Sequence, residues 1–228
     1  MTRVVLAGAS GRLGSLLDEA LGEAQGLQCV GRLRRGDDLA AVLEDGAADV
    51  LLDVTLAEAS RVLVPAALER GLDVVLGTSG CTSRDLGGFH RQASELGRRV
   101  LHVPNFSLGA VLQMEAAEQA GKHLGAGVIL EVHHPTKKDS PSGTALATAD
   151  RIFAASESRP PITSERRDGV IARQTVSWES DGERYEIVHE VTQRSAFVPG
   201  AMLAVRGVSR LEPGLTTGLQ AVLDLAER

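Results

Sequence analysis

Short apolar runs alternate with amphipathic stretches through the first 105 residues. Residues 2–7 carry Val4, Val5, Leu6 and Ala7 in one run, the length of a buried strand. Residues 15–21 then place Leu16, Leu17, Ala20 and Leu21 on one helical face. The pattern repeats. Strands are predicted over 27–33, 49–54, 73–76 and 99–103, and helices over 39–43, 58–70 and 85–96, with Gly71 at the C′ position of the helix before it. Strands and helices alternating at this spacing predict an α/β unit with a doubly wound parallel sheet.

After Phe106 the rhythm changes. A long helix is predicted over 108–124, a strand over 127–133, and a helix over 142–155 with Ser142 or Thr144 near its start. Two strand-like runs, 170–178 and 184–193, flank a Ser-Asp-Gly turn and read as a hairpin. Residues 156–163, rich in Ser and Pro, read as the weakest-ordered stretch. A helix over 200–208 and a closing helix over 215–227, after Pro213 and Gly214, complete the chain. The second half is therefore expected to be α+β with a mixed sheet.

Composition narrows the function. Aromatic residues make up only 3% of the 228, so the core must be built mainly from Leu, Val and Ala. A net charge of −6 speaks against a nucleic-acid partner. No apolar run is long enough for a membrane helix, and no signal peptide is read at the start, so neither membrane nor export is expected. Cys29 and Cys81 stand alone, which gives neither a disulfide framework nor metal-ligand spacing; a cytoplasmic setting is the simplest expectation.

Gly8-x-x-Gly11-x-x-Gly14 lies between a predicted strand and a predicted helix, the context that makes a glycine loop informative. Glycines let a pyrophosphate approach the backbone, and the helix start offers free N–H donors. The first unit is thus expected to be of the Rossmann type, although a glycine-rich turn without a ligand is the bland alternative. An NAD-preferring fold usually ends its second strand on an acid. Here Leu33 is followed by Arg34 and Arg35, which with Arg12 suit a 2′-phosphate. NADPH is the preferred expectation and NADH the second, with a solvated Arg-Arg turn as the alternative. The ends of the third, fourth and fifth strands, at Asp53-Val54-Thr55, Gly77-Thr78-Ser79 and Val103-Pro104-Asn105-Phe106, fall at the carboxyl edge where such sheets bind ligands; each alone is more often a helix cap or turn, and together they are consistent with a nicotinamide half-site.

Residues 131–144 read E-V-H-H-P-T-K-K-D-S-P-S-G-T. Only three lysines occur among 24 basic residues, and two of them, Lys137 and Lys138, stand here beside His133, His134 and Asp139. Lysine can give a proton near neutral pH when its environment is tuned, and arginine cannot. The histidine and lysine pairs lack further ligands at zinc spacing, so no metal is expected. A helix opening on Ser142-Gly143-Thr144 offers an anion site suited to a carboxylate. Together these predict a small acidic substrate that must be protonated during the reaction. A polar surface loop is the alternative.

This segment resembles the signature of the 4-hydroxy-tetrahydrodipicolinate reductase (dihydrodipicolinate reductase) family, of the diaminopimelate route to lysine. G-A-S-G-R-L-G at 8–14, D-V-T at 53–55, G-T-S-G at 77–80, V-P-N-F-S-L-G at 103–109 and G-E-R-Y-E-I-V-H at 182–189 extend the resemblance over nearly the whole chain. The resemblance implies NAD(P)H-dependent reduction of the cyclic imine that forms when 4-hydroxy-tetrahydrodipicolinate loses water, with hydride delivered at C4. It implies His133 and Lys137 as catalytic residues, His134 as a substrate ligand, and Gly143 with Thr144 as the holders of a substrate carboxylate. It implies cofactor contacts at Gly8, Ala9, Ser10, Gly11, Arg12 and Leu13, at Arg34 and Arg35, at Gly77, Thr78 and Ser79, and at Val103, Pro104, Asn105 and Phe106. It further implies a homotetramer. The dinucleotide-binding domain would be 1–105 with 204–228, and the substrate-binding and tetramerisation domain 106–203. The chain departs from the family at Arg34, where an acid is common, and at Ala172 and Gln174, where a Gly and a His are expected. Another two-domain amino-acid dehydrogenase, of aspartate or homoserine type, or a non-catalytic NAD(P)H sensor are the alternatives.

Overall fold

The apolar runs become strands because their side chains are buried on both faces of a sheet. The computed structural model describes residues 1–42 and 48–226. Two compact units are formed, Met1–Phe106 with Phe197–Arg228, and Ser107–Ala196. The chain begins β1 (Thr2–Ala7), α1 (Gly14–Glu23), β2 (Leu27–Leu33), α2 (Leu39–Val42), β3 (Val50–Asp53), α3 (Ala57–Glu69), β4 (Asp73–Leu76), α4 (Ser83–Glu95) and β5 (Arg99–His102). The second unit follows as α5 (Leu108–Leu124), β6 (Val128–His133), α6 (Gly143–Ser156), β7 (Ile162–Arg166), β8 (Ala172–Ser180) and β9 (Glu183–Val191). The return to the first unit supplies α7 (Val198–Gly207), β10 (Gly214–Thr217) and α8 (Gln220–Ala226).

In the first unit six parallel strands run in the order β10-β5-β4-β3-β1-β2. Every residue of β3 and β4 is buried, as expected of central strands with helices on both faces. Leu51, Val64, Ala67, Leu68, Val74, Leu76 and Phe89 form the core on one side. The predicted helix over 39–43 is α2 as far as Val42; Leu43 lies outside the described residues. The predicted helix over 215–227 is corrected. Leu215, Thr216 and Thr217 instead extend the sheet as β10 beside β5, Gly218 breaks the strand at φ 102, and only then does α8 begin. The β-branched threonines favour a strand, and pairing at an open parallel edge satisfies their backbone; Glu227 lies outside the described residues. The return crosses between Ala196 and Phe197, ahead of α7, whereas a boundary at 203 and 204 would cut that helix.

The second unit is a four-stranded mixed sheet, β7-β6-β8-β9, in which β6 pairs parallel with β7 and antiparallel with β8. The hairpin turns at Asp181 and Gly182, with Gly182 at φ 90. The strand β7 replaces part of the Ser/Pro-rich stretch read as poorly ordered. Ala117 of α5 and Ala145, Ala149 and Ile152 of α6 pack with Ile129, Val176 and Trp178 of the sheet. Buried Gln174 ties these layers together: its amide nitrogen donates to Gln113 Oε1 (3.1 Å) and Thr148 Oγ1 (2.9 Å), while Gln113 donates to the carbonyls of Gln174 and Ile187. On the opposite face Val128, Leu130 and Val188 line a shallow polar-rimmed concavity with Arg173, Glu179, Arg184 and Glu186. No helix among the described residues is long and apolar enough to cross a membrane.

Candidate active site

In the first unit the predicted cofactor residues gather at the carboxyl edge of the sheet. Gly8 leaves β1 at φ 92, and Gly11 donates its N–H to the Gly8 carbonyl at 2.9 Å. A Cβ on Gly14 would collide with that same carbonyl, and one on Gly8 would press to 3.0 Å from the carbonyl oxygen of Val54. Only glycine lets this turn close. The helix α1 then starts at Leu13 without a side-chain cap and without an acid in its first turn, whereas Thr82, Ser107 and Ser142 cap α4, α5 and α6. A tight turn of small residues leading into an uncapped helix start fits a pyrophosphate. Arg12, Arg34 and Arg35 are exposed. Arg34 opens a turn in which its main-chain N–H donates to the Asp37 carboxylate (2.8 Å).

Other residues expected at this edge serve the scaffold with their side chains. Val103 is fully buried, and the ring of Phe106 fills the space a Cβ on Gly77 would need. The buried Thr78 hydroxyl donates to Asp53 (3.2 Å). Ser79 and Pro104 are exposed and Asn105 is half-buried. Asp53 organises the edge: fully buried, it also accepts from Thr55 N–H (2.9 Å), Thr55 Oγ1 (2.6 Å) and Ser60 Oγ (2.6 Å). The D-V-T motif flagged its place but not this role.

In the second unit, β6 delivers His133 and His134 into the loop 134–141, which ends at the Ser142 cap of α6. Lys137 Nζ lies 2.9 Å from Asp139 Oδ2. His134 Nδ1 and Thr136 Oγ1 share a hydrogen bond of 2.8 Å. Ser142 Oγ accepts from Ala145 N–H (3.2 Å), which leaves Gly143 and Thr144 as the first helical residues, and the space a Cβ on Gly143 would enter is open. His133, Lys137, Gly143 and Thr144 thus belong to one continuous structure. Two residues assigned nothing from sequence hold it together. Arg166, at the end of β7, donates to the carbonyls of Lys137 (3.3 Å) and Asp139 (2.5 Å). Glu131, fully buried, accepts at Oε1 from Ser142 N–H (3.0 Å) and Ser164 Oγ (2.7 Å). Two-residue spacing on a strand could have signalled that Glu131 shares a face with His133; Arg166 was out of reach without β7.

The electrostatics follow from this packing. Burial pushes His133 below its ordinary value; Glu131 opposes that, and Lys137 and Arg166 add to it. Burial pushes Glu131 up, but the hydrogen bonds from Ser142 and Ser164 and the nearby His133 outweigh it, so its carboxyl sits below the usual range. Asp139 is likewise pushed up by burial and brought below its ordinary value by Lys137 and by the Gly143 N–H. An acid beside a lysine and a helix start is thereby kept in its charged form.

Comparison with known proteins shows the family. Residues 2–106 match the model described as dihydrodipicolinate reductase, N-terminus, and residues 109–223 the model described as dihydrodipicolinate reductase, C-terminus. The chain belongs to the dihydrodipicolinate reductase family. The 4-hydroxy-tetrahydrodipicolinate reductase of Beutenbergia cavernae is 38% identical, across 98% of this chain and 99% of that one. That of Mycolicibacterium smegmatis is 34% identical, across 98% and 100%. Among solved structures, a dipicolinate-bound dihydrodipicolinate reductase from Paenisporosarcina sp. TG-14 superposes with a TM-score of 0.84 at 25% identity, across 96% of this chain and 98% of that one. An amine dehydrogenase from Mycobacterium smegmatis, at 11% identity and a TM-score of 0.69, shares the fold alone. Family membership accounts for the two units occurring in one chain.

Proposed function

We propose that the chain reduces 4-hydroxy-tetrahydrodipicolinate to tetrahydrodipicolinate in the diaminopimelate route to lysine, with His133 and Lys137 moving protons and His134, Gly143 and Thr144 binding the substrate. It is an NAD(P)-dependent oxidoreductase of this family. The observation that carries the residue assignment is the single polar framework, centred on Glu131 and Arg166, that joins His133, the Lys137 loop and the start of α6.

Bound NAD(P)H supplies a hydride to C4 of the ring once water has left. A hydride brings two electrons and no proton, so the protein must also supply one proton. In this reading Lys137, its ammonium steadied by Asp139, gives it, and His133 gives or takes another as water leaves. Gly143 and Thr144, the first residues of α6, hold a substrate carboxylate at the helix start in this reading. Arg34, Arg35 and Arg12 favour NADPH, whose extra phosphate needs cationic partners, over NADH. The proposed assembly is a homotetramer using the uncovered face of the second sheet, where Val128 and Val188 are about half exposed. The proposed compartment is the cytoplasm, and the proposed partner a small dicarboxylate substrate.

The test is substrate-dependent loss of NADPH absorbance, with wild type and Lys137→Ala measured side by side. Turnover by wild type and a fall of about 100-fold or more in the variant are expected, the scale of lost acid catalysis. Unaltered turnover in the variant would remove Lys137 from the mechanism, and inactivity of both would remove the substrate.

A further inference from the structure

Proton transfer at His133 and Lys137 leaves a buried acid unused. Glu131 is fully out of solvent, and a carboxylate there is costly unless something compensates it. Its Oε1 is satisfied by Ser142 and Ser164. Its Oε2 is buried without a hydrogen bond, and so is His133 Nδ1. These two atoms face each other at 3.5 Å, a few tenths of an ångström beyond hydrogen-bond reach. Glu131 and His133 stand two apart on β6, so both side chains leave the same face of the sheet. A hydrogen bond between them would satisfy both atoms.

We infer that Glu131 is the positioning residue of His133: Oε2 takes the Nδ1–H, fixes the tautomer that leaves Nε2 bare for proton exchange, and stabilises the imidazolium formed when Nε2 takes a proton. The inference rests on the proposed catalytic role of His133 and deepens it. When Nε2 accepts a proton, its lone pair forms the new N–H bond and Nδ1 keeps its hydrogen against the carboxylate. Return of the proton from Nε2 restores the neutral ring in the same tautomer. Because Oε1 of the same carboxylate holds Ser142, Glu131 also sets the distance between this ring and the helix start that receives the substrate carboxylate. The charged groups around the ring are Glu131 on β6, Arg166 on β7, and Lys137 and Asp139 on the loop. Glu131 is the buried anion of the set, so removing its charge leaves two cations facing the ring against exposed Asp139.

The ring nitrogens of His133 can be followed by NMR in the intact, substrate-free protein, with His133→Ala used to assign the signals. At high pH the wild type should show hydrogen on Nδ1 and a bare Nε2, a result that needs no variant to fold. In Glu131→Gln the His133 titration should move to lower pH by roughly one pH unit or more. Its kcat should fall about tenfold or more while substrate KM changes little, because the loss is in proton transfer. The opposite tautomer in wild type, or an unmoved titration in Glu131→Gln, would overturn the role. Full activity in His133→Ala would instead overturn the proposed catalysis by His133, and the substrate-free spectra would still decide whether Glu131 orients the ring.

Discussion

Lys137 holds the carboxylate of Asp139 at 2.9 Å, and the N–H of Gly143 acts on the same carboxylate. Two groups assigned to catalysis and substrate binding are therefore engaged by an internal anion. Under the proposed substrate binding, a dicarboxylate arriving at the start of α6 would compete with it. Asp139→Asn removes the competing charge while keeping the shape, so substrate KM should fall. The pair is substantially exposed on the Asp139 side, which limits the effect to roughly fivefold. Steady-state kinetics on the purified variant settles the point, and a KM that rises would show Asp139 to be a support of Lys137 rather than a rival of the substrate.

Arg166 braces the same loop through two main-chain carbonyls, a task that uses the planar fork of a guanidinium. Lysine has the charge without the fork. Arg166→Lys should therefore lower kcat/KM about tenfold, the effect of one or two lost charge-assisted hydrogen bonds. Hydrogen exchange across residues 134–140 should rise in parallel. If exchange in that loop were unchanged in the variant, the bracing role would be wrong even if activity fell.

Much of the first unit was legible because its signals are local. Val4 to Ala7, Val50 to Leu52 and Val74 to Leu76 are short apolar runs, and Gly8, Gly11 and Gly14 announce the loop by their spacing. What stayed hidden depends on pairing at a distance. Leu215 to Thr217 look like a helix start until β5 offers an edge, and Ile162 to Arg166 follow a Ser/Pro-rich stretch until β6 pairs with them. The site divides the same way. His133, Lys137 and Gly143 lie in one contiguous motif, while Arg166, 29 residues on from Lys137, reaches it only through that strand pairing. Asp53 and Glu131 were quoted within motifs, but their hydrogen bonds to Thr78 and Ser164 are tertiary.

Cofactor choice should follow Arg34. It is exposed at the carboxyl end of β2, where a dinucleotide fold reads the adenosine ribose. Arg34→Glu removes a cation for a 2′-phosphate and supplies an acceptor for ribose hydroxyls. KM for NADPH should rise about tenfold, the scale of a lost hydrogen bond to a charged group, while KM for NADH falls or holds. Parallel titrations with both nucleotides measure the ratio. A ratio equal to that of wild type would remove Arg34 from nucleotide discrimination.

Stability should fall in mild acid, through half-buried histidines. His102, His133 and His189 are each pushed below the ordinary value of 6.5, chiefly by burial. Below pH 6.5 the unfolded chain therefore binds protons at these positions more readily than the folded one, and acid favours unfolding. Their contribution is complete above that value and is lost as pH falls through the lowered folded values. His189 is the cleanest probe: its Nε2 meets Ser107 Oγ at 3.0 Å, its ring packs where a Cβ on Gly109 would stand, and it lies outside the proposed catalytic groups. Glutamine there can keep a hydrogen bond to Ser107 and cannot titrate in this range. The wild-type Tm should drop between about pH 7.5 and about pH 5.5, and His189→Gln should drop less across the same interval, whatever its Tm at neutral pH. Equal slopes in the two proteins would show that His189 takes up no proton on unfolding.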